Sequence, residues 1–143
     1  NSHVVIMGMG RVGTGAYDEF KAQGHLTVGL DSDPGKAEMH RKAGRRVLYA
    51  DAEDPGFWSH LDLHGVETVV LTMPEMEANL IATRQLRKRG FAGLISATVY
   101  YAEDVEPLKE AGADLVYDYH DGIGVGLARL SLEQRELSTT AGP

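Results

Sequence analysis

The sequence predicts an α/β fold built on a doubly wound parallel sheet of about six strands with helices on both faces. Two observations carry that reading. Short apolar runs alternate with helical patterns along the 143 residues, joined by short connections. Such alternation gives right-handed crossovers and a parallel sheet covered on both sides. In addition, the first apolar run passes through Gly8-Met9-Gly10-Arg11-Val12-Gly13 into an amphipathic segment, and the second run ends on Asp31. Strand, tight glycine turn, helix, strand and terminal acid, in that order and spacing, form the fingerprint of a dinucleotide-type site in Rossmann-like folds.

The elements follow in order. Residues 4–7 are the first strand. Residues 11–23 are a helix with Val12, Ala16 and Phe20 on the face expected to pack, and Gly24 ends it. The second strand spans 26–30. Asp33 then caps a helix with Pro34 at its first position, and Gly44 stops that helix after Ala43. A short third strand covers 46–49. Asp54 and Pro55 open another short helix reaching about Leu61. Residues 68–72 are an almost unbroken apolar run, as in a strand covered on both faces, broken by Pro74. Residues 75–89 form a helix with Ala78, Ile81, Ala82 and Leu86 inward. A fifth strand spans 94–97. The next helix ends at Ala111, and Pro107 implies that it starts late or kinks. The sixth strand covers 115–117. Beyond His120 the pattern is helical over 127–137, with Gly122, Gly124 and Gly126 weakening it. One domain therefore spans residues 1–137, and 138–143 are expected to fray. The expected strand order is 3-2-1-4-5-6, with a ligand at the carboxyl ends of strands one and four.

The loops at those strand ends hold the candidate site. Gly8 permits the sharp turn, Gly10 leaves room for a phosphate, and Gly13 lets the helix approach the strand. The helix N-terminus offers unpaired N–H groups and a positive dipole end. Met9, Arg11 and Val12 stand beside the phosphate position, where Arg11 either pairs with the phosphate or is simply solvated. Asp31 accepts from adenosine ribose hydroxyls, with Ser32 and Asp33 in the same loop. An acid there disfavours a 2′-phosphate and so NADPH. Asp51 and Ala52 are placed to meet the adenine edge, or are plain surface loop. Thr72, Met73 and Pro74 lie opposite the glycine turn, within reach of ribose or phosphate.

Composition narrows the function classes. Forty-three percent hydrophobic and 24% charged residues make a soluble globular composition. No apolar stretch approaches the roughly 20 residues of a membrane span, so any membrane connection comes through a partner or another part of the protein. No signal peptide is visible. The chain opens on Asn1-Ser2 directly before a strand, as expected of a piece of something longer. The absence of cysteine suits the cytoplasm, and a net charge of −7 argues against a nucleic-acid binder. Neither a metal-ligand spacing nor a Ser-His-Asp arrangement is evident; His60 and His64, four apart, read as surface residues. Arg84, Arg87, Lys88 and Arg89 suit the negative end of a helix dipole. Phe57 and Trp58 read as core or interface.

Together these residues resemble the RCK N-terminal, or TrkA-N, domain. The matching pieces are Gly8-Met-Gly-Arg-Val-Gly13, Gly29-Leu-Asp-Ser-Asp-Pro34, Tyr49-Ala-Asp-Ala-Glu-Asp-Pro55, Val69-Val-Leu-Thr-Met-Pro74 and Leu108-Lys-Glu-Ala-Gly-Ala-Asp114. The Asp-Ala pair followed by Asp-Pro separates this family from dehydrogenases more sharply than the glycine turn does. Within the family the chain looks most like the cytoplasmic regulatory domain of Kef-type glutathione-regulated potassium/proton antiporters. The resemblance implies a regulatory domain without catalytic residues that binds AMP or NAD(H) and gates potassium transport. It also implies a homodimer coupled to a membrane transport domain of the same or a companion chain, at the inner face of the membrane. Where Kef-like domains carry an arginine-rich segment after strand five, this chain reads Ser96-Ala-Thr-Val-Tyr-Tyr-Ala102. The exposed surfaces expected for dimerisation are Met76 and Leu80, and Leu127, Leu130 and Leu137. The alternative is the nucleotide-binding half of an NAD-dependent oxidoreductase lacking its substrate domain.

Overall fold

The computed structural model describes residues 3–140. In chain order the elements are β1 (His3–Met7), α1 (Arg11–Ala22), β2 (Leu26–Asp31), α2 (Pro34–Lys42), β3 (Val47–Tyr49), α3 (Pro55–His60), β4 (Val66–Leu71), α4 (Met76–Lys88), β5 (Leu94–Val99), α5 (Val105–Ala111), β6 (Leu115–Asp118) and α6 (Tyr119–Thr140). A 3₁₀ turn, Ala102–Asp104, precedes α5 and absorbs the late start imposed by Pro107. The sheet runs β3-β2-β1-β4-β5-β6 with every pair parallel. This is the Rossmann-like doubly wound architecture expected, with the expected strand order.

Strand alternation divides the core between two faces. On one face Met7, Val69, Leu71, Ile95, Ala97 and Val99 pack with Trp58, Ala82, Leu86 and Leu108. On the other, Val4, Ile6 and Val70 meet Tyr17 and Ala37. Burying each such side chain is worth about 1.5–3 kcal/mol. Two caps start their helices as expected. The Asp33 carboxylate accepts from the Gly35 N–H at 2.8 Å, and that of Asp54 from the Gly56 N–H at 2.9 Å. Trp58 is buried and donates its indole N–H to the Ala52 carbonyl at 2.6 Å.

Several expectations are corrected. The buried stripe of α1 is Gly13 and Tyr17, backed by Ala16 and Phe20, while Val12 is exposed. Asn79 and Thr83 are buried on α4 beside Ala78, Ala82 and Leu86. Met76 and Leu80 are half-buried against the core rather than fully exposed. The tail is one helix from Tyr119 to Thr140, past the expected fraying point at 138; residues 141–143 lie outside the described part. Its glycines have a partial explanation: a Cβ at Gly122 would overlap the Tyr117 ring. No residue of α6 is buried, and Ile123, Leu127, Leu130 and Leu137 stand exposed along it. Beside it, Leu94, Leu115 and Tyr117 are exposed, and the paired register places them on one face of β5 and β6.

Arg87 is also more than a helix-end cation. Its guanidinium donates to the carbonyls of Gly112 (2.9 Å), Phe91 (2.7 Å) and Gly93 (2.9 Å) and to the Asp114 carboxylate (2.8 Å). It thereby ties the C-terminal end of α4 to the loops before β5 and β6. Replacing it orphans three carbonyls at once, so Arg87→Ala is expected to lower unfolding free energy by about 2–4 kcal/mol in urea titration. Arg87→Lys should recover little, because one ammonium cannot span the fork.

Candidate nucleotide-binding site

The carboxyl ends of the strands enclose a cleft of about 740 Å³, within the range of about 300–1,000 Å³ usual for small-molecule sites. Its walls include Gly8, Gly10, Arg11, Val12, Asp31, Ser32, Asp33, Asp51, Ala52, Thr72, Met73 and Pro74. Thus all the residues singled out from the sequence converge on it except Met9. The Met9 side chain is 1% exposed and packs into the core on the α2 side; only its peptide faces the site's machinery.

The three glycines of the turn have different surroundings, and close packing accounts for Gly8 and Gly13. Gly8 sits at φ +100°, and a Cβ there would come within 2.8 Å of the backbone of Thr72 and Met73. At Gly13 a Cβ would collide with the Gly8 carbonyl oxygen, so this residue sets how closely α1 approaches β1. A Cβ at Gly10 would meet nothing within 4 Å. That space opens at the N-terminus of α1, where no side chain caps the helix and no acid sits in the first turn. An unneutralised helix N-terminus beside open space suits an anion.

Asp31 organises the turn from β2. Its carboxylate accepts the Met9 N–H at 2.9 Å and the Asp33 N–H at 2.8 Å. A carboxylate has about four acceptor positions, so two remain for a ligand. The Thr72 hydroxyl is committed to the turn, donating to the Gly8 carbonyl at 2.6 Å and to Met7 at 3.2 Å. Asn79, buried on α4, pins the neighbouring loop by bonding both the N–H and the carbonyl of Met73. The Asp51 carboxylate accepts from the Glu53 N–H at 2.9 Å and keeps free acceptor capacity.

A buried histidine completes the support. His40 is 5% exposed, and its Nε2 donates to the Met9 carbonyl at 2.8 Å. Arg45 donates to His40 Nδ1 at 3.4 Å and forms a two-pronged pair with Asp18 on α1 at 2.9 Å. The Arg45 hydrogen bonds hold the Asp18 carboxyl below the usual carboxylate range. The Met9 carbonyl is therefore gripped by α2, while the Met9 N–H is gripped by Asp31 at the end of β2.

A family model for the TrkA-N domain matches residues 4–118. The chain belongs to the TrkA-N family. The domain is 32% identical over 85 residues to a putative K(+) efflux antiporter, KefB, of Alkalimonas amylolytica; the match covers 59% of this chain and 13% of that protein. Among solved structures, the NAD(P)-binding domain of an exopolyphosphatase-related protein from Archaeoglobus fulgidus superposes with TM-score 0.84 at 26% identity, covering 93% of this chain and 99% of the other. The TrkA-N domain of the Escherichia coli inner membrane protein ybaL gives 0.80 at 21% identity, covering 90% and 96%. A Shewanella denitrificans Kef C-terminal domain in AMP-bound form gives 0.71 at 19%, covering 92% and 80%. The last two likenesses show the fold alone.

The TrkA-N cleft also has walls that sequence reasoning missed. Lys36, Glu53 and Glu75 bring charge, and Tyr100 and Tyr119 bring aromatic rings. Lys36 had a faint signal, three residues past the Asp33 cap. Tyr100 stands in the segment noticed only for its lack of arginine. Tyr119 had none, because the helix that starts there was not expected before residue 127.

The second and third glycines, Gly10 and Gly13, separate folding from space at the turn. Gly13→Ala is expected to cost about 1–3 kcal/mol in chemical denaturation through overpacking against Gly8. Gly10→Val should leave the unfolding midpoint nearly unchanged while abolishing binding of AMP and NADH in calorimetry, because its side chain fills the space before α1.

Proposed function

We propose that this TrkA-N domain is the cytoplasmic regulatory domain of a potassium efflux or transport system, and that an adenosine nucleotide, AMP or NAD(H), gates transport by occupying the cleft. The observation that carries the reading is the Asp31 carboxylate, fixed at the tip of β2 by two backbone N–H groups with acceptor capacity to spare. It stands next to an uncapped helix N-terminus with open space before it. One group suits a ribose and the other a phosphate, with Asp51 toward the adenine. The kinship to potassium antiporter domains supplies the biological context: a transport domain of the same or a companion chain at the inner face of the membrane. The role is regulatory rather than catalytic. No nucleic acid is involved, given the net charge of −7.

Asp31→Ala is expected to weaken AMP and NADH binding in calorimetry by about 1.5–3 kcal/mol, the worth of a charge-assisted hydrogen bond. Circular dichroism establishes that the variant is folded. Unchanged affinity in a folded variant removes Asp31 from the site.

Gating requires a second body whose geometry the nucleotide biases, and a ligand shifts such an equilibrium only through differential affinity. The body proposed is a second copy of this chain. Ile123, Leu127, Leu130 and Leu137 recur at helical spacing on α6 and are exposed; the uncovered strip of Leu94, Leu115 and Tyr117 lies beside the helix root. A self-complementary two-fold arrangement covers both. Light scattering at micromolar concentration should give a dimer, Leu127→Glu with Leu130→Glu a monomer, and added nucleotide a shift in dimer stability. A strictly monomeric chain with and without nucleotide contradicts the dimer.

A further inference from the structure

His40 on α2 is the one buried histidine among the described residues, and its ring meets two groups outside its own helix. Arg45 approaches Nδ1 at 3.4 Å, and Nε2 stands 2.8 Å from the Met9 carbonyl oxygen. A guanidinium has only donors and a carbonyl only acceptors. Nδ1 therefore carries the lone pair and Nε2 the proton, so one neutral tautomer satisfies both contacts. Arg45 is itself held by the two carboxylate oxygens of Asp18, each at 2.9 Å. From Arg45 inward the hydrogen bonds point the same way, and aligned bonds polarise one another.

Satisfying the Met9 carbonyl does not by itself call for a buried imidazole. The Thr14 hydroxyl on α1 donates to the same oxygen at 3.3 Å. What the ring adds is a direction. The Met9–Gly10 peptide is trans, and in a trans peptide the C=O and the following N–H point opposite ways. A carbonyl drawn toward α2 turns the Gly10 N–H away from it. Gly10 borders the cleft, and among the described residues no acceptor meets its N–H. Turned over, the same peptide would present its carbonyl oxygen there, and a carbonyl oxygen repels an anion. Glycine at position 10 makes that reversal sterically easy, because φ of either sign is open to it.

We propose that His40 is a positioning residue for the anion end of the cleft: by holding the Met9 carbonyl toward α2, in the tautomer that Arg45 and Asp18 fix, it keeps the Gly10 N–H turned out to receive a phosphate. This rests on the reading of the cleft as a nucleotide site with its phosphate before α1. The ribose end does not share the dependence, because Asp31 is fixed by the Met9 and Asp33 N–H groups instead.

The test is calorimetry of the 143-residue chain with AMP and with adenosine, beside nitrogen NMR spectra of the imidazole and of the Gly10 amide. In the wild type His40 should show its proton on Nε2, and the Gly10 amide proton should move downfield with AMP and stay in place with adenosine. His40→Leu removes the donor at similar volume. It should weaken AMP about fivefold or more, the worth of one net hydrogen bond, and leave adenosine unchanged. His40→Gln, whose amide reaches the Nε2 position with a donor, should recover most of the loss. A folded His40→Leu chain that binds AMP as the wild type does, or that loses AMP and adenosine by the same factor, overturns the proposal. So does a wild-type ring with its proton on Nδ1, even where His40→Leu fails to fold. AMP binding that depends on Asp31 but not on His40 sinks the positioning role and leaves the nucleotide reading standing. A wild type that binds neither ligand ends both.

Discussion

One carboxylate holds the candidate site together. Asp31 reaches from the end of β2 to the Met9 N–H in the glycine turn, and its other oxygen closes the start of the α2 loop through the Asp33 N–H. Between Gly8 and Gly10 the turn carries a single side chain, Met9, which is sunk in the core. Its geometry comes from neighbours: Asp31 from one strand, the Thr72 hydroxyl on the Gly8 carbonyl from another, and His40 on the Met9 carbonyl from α2. Remove this support and a flexible glycine segment loses the preorganisation that lets backbone N–H groups receive an anion without first becoming ordered.

The same economy governs the sheet. A parallel strand in the middle of a doubly wound sheet needs both faces covered. β1 and β4 obtain that cover from helices on each side, and their residues are the most deeply buried. Toward β6 the cover fails on one face, and the following helix runs free of the domain rather than returning over the strip. The asymmetry is built into the connectivity: α4 and α5 pack with each other and with the strands on one side, leaving only α6 to serve the other.

What was legible in the sequence follows from where local chemistry decides structure. The strands, the caps at Asp33 and Asp54, the sheet order and the convergence of Asp31, Asp51 and Thr72 on the glycine turn could be read, because apolar periodicity, proline after a cap and glycine spacing are local signals. Met9 was misplaced because motif position says which backbone lies near a phosphate and not where the side chain goes; here it fills the core below Gly29, within 2.6–2.8 Å of where that residue's Cβ would lie. Val12 and Leu80 were assigned to the wrong environment for a related reason: helical spacing gives a stripe but not its phase against the sheet. His40 and Arg87 escaped notice because their partners are backbone carbonyls remote in sequence, which no pattern of residue types records. The aromatic wall escaped because it joins the ends of two elements nineteen positions apart, Tyr100 and Tyr119.

The root of α6 has a mechanical consequence. Twenty-two residues of helix form a rod of about 33 Å. Its first residue is a cleft wall, its fourth leaves no room for a Cβ beside the Tyr117 ring, and at the next two glycines a Cβ would meet nothing within 4 Å. A rod clamped at one end beside a pocket works as a pointer. Tilting its base by about ten degrees swings the far tip by about 6 Å, given that length, so a ring-sized adjustment at the cleft becomes a displacement large enough for a distant body to feel.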